Sequence, residues 1–326
     1  MIRVPTVLVF IFAACSAAHS ETTTVRFGQI PSTVHGMSSL ARFVAEKRAF
    51  FAKQNLRVQF VQIPGGTANM VKALDRGDVD LTQTATPYLI QAVLAGSDAA
   101  AVAGGTANPI YSLIAKPEIA TFADLKGKTI GLSLPVDTIS ISTRKLLALN
   151  GLSDGDYRIS QLVGTPARFK CLQMGECDAV PLGQPDDLVA IKQGYRRLGL
   201  STDAVAAFQF EVVAARRSWA QAHKHTVVDF VRALAAAYRY IRDPSNHDEV
   251  VRYIVDLTGS SENVARETLK LYFEPDRGVL PQQAEISVPG LRQVIAFMLE
   301  VHAITPPPPD PQRFVDSRYW RKATSK

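Results

Sequence analysis

Cysteine is scarce in this chain, with 3 residues among 326. A small extracellular domain held together by disulfide bonds needs a higher density, so that class is excluded. Charge of one sign is not concentrated either, because 36 Lys and Arg stand against 30 Asp and Glu. No basic run is interleaved with aromatic residues, which argues against a nucleic-acid partner. Apolar residues make up 47% of the chain, which excludes disorder, and the length predicts two domains.

Motifs for catalysis and metal binding are also missing. The chain has no G-x-S-x-G, no phosphate-binding G-x-x-x-x-G-K-[ST], no G-x-G-x-x-G and no H-E-x-x-H. His223 and His225 would face different sides of a helix, so they predict no metal site. Glu211, in the apolar run FQFEVV, is interpreted as a solvated strand position, and Asp186 and Asp187 as residues that favour a helix N-terminus. The sequence therefore predicts no catalytic residue, no cofactor and no metal.

Long hydrophobic runs are confined to residues 1–20. This segment has a single charge near its start, an apolar run at 4–14 and small residues after it. That order is typical of a secretory signal peptide, and the run is too short to span a membrane. We predict cleavage before Glu21 and a periplasmic mature chain. A lipoprotein signal with lipidation of Cys15 is the alternative, which Phe12 disfavours because leucine is usual there.

Export changes how the cysteines are interpreted. Removal of residues 1–20 leaves Cys171 and Cys177, an even number in an oxidising compartment. They flank the turn CLQMGEC between a predicted helix and a predicted strand. A disulfide and two small buried side chains both fit this pattern. A metal site does not, because the spacing is not C-x-x-C and no histidine lies nearby.

Strand-like and helix-like patterns alternate along the mature chain. Residues 24–30 and 56–63 have period-two character, and apolar residues recur at helical spacing between them. A short helix and a strand at 79–84 follow, so the order predicts parallel strands covered by helices. A second set of the same kind extends over about 110–193. The last third is predicted to be helical.

The turns that follow these strands share small hydroxyl, glycine and proline residues. In open α/β sheets such loops form the ligand crevice, and the helix N-termini there offer free N–H groups. Ordinary capping explains any one of these loops. Six of them at one edge, in two α/β sets, predict a cleft between two lobes.

Three stretches of the chain also follow the order of known family motifs. They are EKRAFFAKQNLRVQFVQIPGGTANMVKALDRGDVDLTQT, TFADLKGKTIGLS and ARFKCLQMGECDAVPLGQP. Together they resemble the periplasmic substrate-binding proteins of ABC importers of the nitrate/sulfonate/taurine class, which includes relatives that bind thiamine pyrimidine precursors. The likeness runs from about residue 25 to 260. The chain departs from the family where Arg48-Ala49 and Gln54-Asn55 replace glycines, and where Cys171 and Cys177 replace Ala and Val.

The resemblance implies a type II periplasmic binding protein, an α/β fold of two lobes joined by a two-segment hinge, with a helical C-terminal part. Lobe I would comprise residues 21–108 and 214–326, and lobe II residues 109–213. The hinge would be two crossing segments, Gly104 to Pro109 and Phe208 to Ala214. Closure of the lobes around a ligand would be what a permease recognises.

The implied function is that of a monomeric binding protein rather than an enzyme. It would capture a small anionic or polar organic ligand, such as a sulfonate or a carboxylate, and deliver it to an ABC permease at the inner membrane. A binding protein for a thiamine pyrimidine precursor and a ligand sensor acting on a membrane kinase are the alternatives.

Ten residues are expected to line the cleft. Among them, Thr138 and Ser140 at the start of a lobe II helix are the expected anion contacts, whereas Asp137 disfavours a strongly anionic ligand. The ten are Ser32, Thr33, His35, Gly66, Thr67, Thr84, Asp137, Thr138, Ser140 and Gln184.

Overall fold

A computed structural model describes residues 22–108, 110–205, 207–274 and 278–325. The predicted signal peptide at 1–20, with Cys15, lies outside these residues, as does Pro109 of the first predicted crossing segment. Within the described ranges, no helix combines the length and the apolar character that a membrane span requires.

The strands of the described residues form two sheets of five. They are β1 (Thr23–Gln29), β2 (Leu56–Gln62), β3 (Leu81–Ala85), β4 (Ala99–Gly104), β5 (Tyr111–Ala115), β6 (Thr129–Leu132), β7 (Arg158–Gln161), β8 (Ala179–Gly183), β9 (Arg196–Leu200) and β10 (Glu211–Arg216). The first sheet has the order β2-β1-β3-β10-β4, and the second has the order β7-β6-β8-β5-β9. Both sheets share one plan. The first three strands in each order are parallel, and the strand in the fourth position, β10 or β5, runs antiparallel to both of its neighbours.

Helices pack against both sheets and make up most of the last third of the chain, as predicted. They are α1 (Leu40–Lys47), α2 (Ala68–Arg76), α3 (Thr86–Leu94), α4 (Thr138–Leu149), α5 (Thr165–Gln173), α6 (Asp186–Lys192), α7 (Ser201–Ala204), α8 (Arg217–Ala222), α9 (Lys224–Arg242), α10 (His247–Thr258), α11 (Glu262–Tyr272), α12 (Val288–Glu300) and α13 (Arg318–Thr324).

Apolar faces at the predicted spacing build the core of the first sheet. Phe230 of α9 stacks on Phe27 of β1 and on Phe51, with ring centroids 5.5 and 5.1 Å apart. Val44 of α1 and Ile254 of α10 are fully buried in the same cluster. Burial of side chains of this size supplies about 2 kcal/mol each, so this cluster is a main source of the stability of the fold.

The chain passes from one sheet to the other twice. We call the residues between β4 and β5 and those between α7 and β10 the linking segments. They lie side by side, because the amide of Phe210 donates to the carbonyl of Ala107 over 2.8 Å, and the amide of Gly105 donates to the carbonyl of Glu211 over 2.9 Å. The strands β5 and β10 follow these segments directly, and each enters its sheet in the antiparallel direction.

The position of β10 overturns the interpretation of Glu211 as a solvated residue. This strand lies between β3 and β4 inside the sheet, so both of its edges are paired, and Glu211 is 7% exposed. The prediction of parallel strands is right for β1 to β3 and for β6 to β8, and it fails for β5 and β10 because they come from the opposite sheet.

Candidate ligand-binding site

A cavity of about 270 Å³ lies between the two sheets, at the ends of β1, β3, β6 and β8. Each sheet contributes loops to its wall, and the linking segments contribute Thr106, Ile110 and Phe210. The residues used below come from both sides: Ser32, Thr33, His35, Thr67, Tyr111, Ser133, Asp137, Val163, Gly164, Arg168, Gln184, Asp186, Glu211 and Tyr272.

The structure brings six of the ten expected residues together on the cavity wall. They are Ser32, Thr33, His35, Thr67, Asp137 and Gln184. The other four are buried beside it and are not among the described lining residues: Gly66, Thr84, Thr138 and Ser140. Two of these support residues that do line it, since the Thr84 hydroxyl donates to the carbonyl of Thr67 over 3.3 Å and the Thr138 hydroxyl donates to Asp137 over 3.3 Å.

The two rims of the cavity touch each other. A Cβ atom on Gly164 would lie 2.9 Å from Cβ of Ser32, and one on Gly66 would lie 3.3 Å from Cγ1 of Val163. Both glycines have positive φ, +90° and +86°, a conformation that other residues rarely adopt. The closed contact between the rims therefore depends on the absence of side chains at these two positions.

The loop after β1 is fixed by a buried arginine. Arg42 of α1 donates from Nη1 to Gln29 over 2.9 Å, from Nη2 to the hydroxyl of Ser39 over 2.8 Å, and from Nε to Gln83 over 3.2 Å. The Ser39 hydroxyl in turn donates to the carbonyl of Thr33 over 2.7 Å. Burial lowers the pKa of Arg42 to about 10, so its guanidinium is charged at neutral pH and holds the loop in place.

Two carboxyl groups belong to opposite sides of the cavity. Glu211 comes from the first sheet and accepts from Nε2 of Gln83. Asp137 begins α4 and accepts from the amide of Ile139 over 3.1 Å and from the hydroxyl of Ser133 over 2.8 Å. Burial raises the pKa of Glu211 to about 7, with Arg42 opposing the shift, and burial also raises the pKa of Asp137. The Asp137 carboxylate further raises the pKa of Glu211, so added negative charge in the cavity is disfavoured.

Arg168 of α5 is a lining residue outside the expected set, and it is fully buried. It donates from Nε to the carbonyl of Pro181 over 2.8 Å, from Nη1 to the carbonyl of Leu162 over 3.3 Å, and from Nη2 to the hydroxyl of Thr165 over 3.1 Å. Burial lowers its pKa, and the nearby Tyr111 and Asp137 oppose that shift. The sequence did not indicate that Arg168 lines the cavity, because this residue lies inside a helix rather than in a loop after a strand.

A disulfide bond between Cys171 and Cys177 fastens the end of α5 to the start of β8. Both residues are buried, and Sγ of Cys177 lies against Gly131 of β6, where a Cβ atom would approach it to 2.9 Å. Arg168 lies one turn before Cys171 and bonds to β8 itself, so the disulfide and the guanidinium hold α5 on the same strand.

Gln184, Asp186 and Asp187 form the end of the cavity beside β8. Asp187 is fully buried and accepts from Ser112 over 2.6 Å, from Nε2 of Gln184 over 2.9 Å and from Arg197 over 3.1 Å. Asp186 lines the cavity, and burial and then Asp187 raise its pKa. The sequence interpretation of both aspartates as helix-start residues is right, because they begin α6. It did not indicate that Asp186 lines the cavity whereas Asp187 is buried behind it.

Aromatic residues complete the wall. The rings of Tyr111 and Phe210 meet edge to face at 6.0 Å, and Tyr272 of α11 lies on the same cavity. Burial raises the pKa of Tyr111 and of Tyr272, so both phenols are neutral. The site therefore combines flat apolar surface with buried hydrogen-bonding groups, which is the composition of a small-molecule binding site.

Comparison with protein-family models gives one match, to the family described as NMT1/THI5 like, over residues 38–246. This range is more than half of the chain and includes residues on both sides of the cavity. Comparison with curated protein sequences finds no relative.

Solved structures of low identity share the fold over most of their length. The ligand-binding component of an ABC-type import system from Staphylococcus aureus, with zinc bound, is 15% identical with a TM-score of 0.75, covering 92% of this chain and 99% of that one. The periplasmic aliphatic sulphonate binding protein SsuA from Escherichia coli is 21% identical with a TM-score of 0.67, covering 90% and 92%. The periplasmic nitrate-binding protein NrtA from Synechocystis PCC 6803 is 17% identical with a TM-score of 0.73, covering 93% and 88%. The predicted fold class is confirmed.

Proposed function

Since the chain belongs to the NMT1/THI5-like family, we propose that it is an extracytoplasmic solute-binding protein, which captures one small ligand between its sheets and presents it to an ABC permease. The observation that carries the proposal is the cavity of about 270 Å³, whose wall comes from both sheets and from both linking segments. A cavity of this size suits a ligand of about ten non-hydrogen atoms.

The proposed mechanism is closure of two lobes about the linking segments. Lobe I would contain residues 21–108 and 214–326, and lobe II residues 109–213, with the protein acting as a monomer in the periplasm. The separation of β1 to β4 and β10 from β5 to β9 into two sheets supports this division, except that residues 211–213 belong to β10 of the first sheet. A ligand that contacts both lobes stabilises the closed state by its difference in affinity for the two states. The closed contact between the rims is the surface feature that distinguishes the states for a permease.

A thermal-shift screen of the mature chain from Glu21, after unfolding and refolding to remove any bound compound, tests the proposal. The panel should contain small amines, amides, carboxylates, sulfonates, nitrate and pyrimidines. A ligand at 100 times its Kd adds about 2.7 kcal/mol to the free energy of unfolding, which raises Tm by several degrees. We expect one chemical class to raise Tm and to reduce the radius of gyration in small-angle scattering. A panel in which no compound changes either quantity would contradict the proposal.

A further inference from the structure

The cavity contains a buried acceptor without a donor. Nε2 of Gln184 donates to Asp187, and since a carboxylate only accepts, this bond fixes the orientation of the amide. Oε1 of Gln184 is consequently turned away from Asp187, and none of the described residues donates to it. Gln184 is 5% exposed and lines the cavity. A buried acceptor left unpaired costs about 1–3 kcal/mol, which a ligand N–H or O–H would recover.

The ionisable groups of the wall are mostly acidic. Asp137, Asp186 and Glu211 line the cavity. Among the described lining residues, Arg168 is the arginine. Asp186 makes no hydrogen bond or ion pair with another described residue, and Asp187 beside it repels added negative charge. An anionic ligand would face this set of carboxyl groups in a site with little water, where repulsion is strong.

Arg168 does not reverse this balance. Three of its five N–H groups donate to two backbone carbonyls and to Thr165, and its charge is partly offset by Asp137 and Asp186. It therefore serves first to hold α5 on β8 and to lessen the repulsion among the acidic groups.

Two of the helix N-termini around the cavity are neutralised by carboxylates. The N-terminus of α4 is capped by the Asp137 carboxylate, and the first turn of α6 contains Asp186 and Asp187. The first turns of α3 and α5 contain proline, which removes one N–H donor from each. The start of α2, after the lining residue Thr67, has neither an acidic residue nor a side-chain cap and is the N-terminus left open to the cavity.

From these observations we infer that the site selects a ligand whose head group carries N–H donors and a zero or positive charge, such as an amidinium, ammonium or amide, over one with a sulfonate or carboxylate head. The inference rests on the proposed function. It narrows the expected class of ligand, anionic or polar organic, to neutral or cationic ligands that carry N–H donors. The rings of Tyr111, Phe210 and Tyr272 provide the apolar surface for the remainder of such a ligand.

Two matched series of probes test the inference by titration calorimetry at pH 8. Benzamidinium, benzamide, benzoate and benzenesulfonate keep one ring and change the head group, and the propyl series of propylammonium, propanamide, butyrate and propanesulfonate does the same without a ring. We expect the amidinium or ammonium member to bind about tenfold or more tightly than either anion of its series, the amide lying between, since one buried charge interaction is of that size. Tighter binding of an anion, or binding of the anions alone, would overturn the inference and leave the proposed function standing, since the thermal-shift panel tests that function separately.

The variant Asp186→Asn keeps the shape of the side chain and removes its charge. It should weaken benzamidinium about tenfold and strengthen benzoate, so that the ratio of the two affinities falls. Glu118→Gln is the matched control, because it also removes one carboxylate and Glu118 lies exposed beyond the end of β5 opposite to the cavity; its ratio should equal that of the unaltered chain. An unchanged ratio in Asp186→Asn would refute the role of this carboxylate.

The pH dependence of binding gives an independent measure of whether the site favours a cation or an anion. Arg42, Gln83, Thr106 and Asp137 face Glu211 from the elements around it, and burial together with these groups sets its pKa of about 7. The phenols of Tyr111, Tyr238 and Tyr272 also face it and are neutral, because burial raises their pKa. A cation favours ionised Glu211, so the affinity for benzamidinium should rise as pH increases from 6 to 8, and protons should be released on binding. An affinity that falls over this interval would count against the inference.

Discussion

Glu211 is a carboxyl group whose burial opposes its ionisation. It lies on an internal strand with Gln83 donating to it and Arg42 nearby, but these contacts do not outweigh the loss of water. The folded state consequently holds the proton of Glu211 up to about pH 7, whereas the unfolded chain releases it near the usual value of 4.5. The free energy of unfolding must then fall as pH rises between these two values, because the unfolded state binds fewer protons there.

Glu211→Gln should remove this part of the pH dependence. Each unit of pKa shift corresponds to about 1.4 kcal/mol, so on the order of 3 kcal/mol of stability should be lost from pH 4.5 to 7 through this group in the unaltered chain. Urea unfolding at pH 5, 6 and 7 measures the slope. We expect a flatter profile in the variant, with a residual slope from Asp137 and Asp186, and equal slopes would show that Glu211 ionises normally.

The same residue marks a limit of prediction from sequence. FQFEVV gives no signal that its single acidic residue faces inward, because that depends on β10 lying between two strands that precede it by more than a hundred residues. Arg168 and Asp186 were missed for a related reason. A periodic pattern indicates which face of an element is apolar, but not which polar side chain a neighbouring element will cover.

At the scale of elements, the strands with clear alternation were predicted almost to the residue. The prediction for 24–30 corresponds to β1, and that for 56–63 corresponds to β2. The strands β4 and β9 were not predicted, since AAAVAG and RRLGL lack alternation and contain a single β-branched residue, Val102. Pairing with β10 and β5 makes them strands.

The helix α5 depends on a covalent constraint for its position. Replacing both Cys171 and Cys177 by alanine should lower the free energy of unfolding by about 2 kcal/mol, the chain-entropy value for so short a loop. Urea unfolding of the oxidised chain and the double variant measures the difference. A reducing agent should shift the unaltered chain towards the double variant and leave the double variant unchanged, and a variant as stable as the oxidised chain would show that the bond does not constrain α5.

At the scale of the molecule, closure requires the two rims to meet without side chains between them. Gly164→Ala would place a Cβ atom 2.9 Å from that of Ser32, so we expect at least a tenfold loss of affinity for a ligand found in the screen. Scattering should show that the variant stays extended at ligand concentrations that close the unaltered chain.

Gly151→Ala is the matched control for that variant. Gly151 has φ +80° with nothing within 4 Å of a Cβ atom, so Gly151→Ala adds a Cβ atom at a positive-φ glycine without a contact between rims, at a cost of about 1 kcal/mol. Both variants should lose stability, Gly164→Ala the more because its backbone at φ +90° and ψ 142° lies outside the left-handed helical region, and only Gly164→Ala should lose affinity. Equal affinities in the two variants would refute the importance of the rim contact.

The linking segments line the cavity with Thr106, Ile110 and Phe210, and they also connect the two sheets. A substitution there changes what the ligand touches and how the sheets move at the same time. Adaptation to a new solute can therefore proceed with least disturbance at Thr33 or at Asp186, each of which belongs to one side of the cavity. Over evolutionary time, we expect related binding proteins to diverge first at these positions on one side of the cavity and to conserve the sequence of the linking segments.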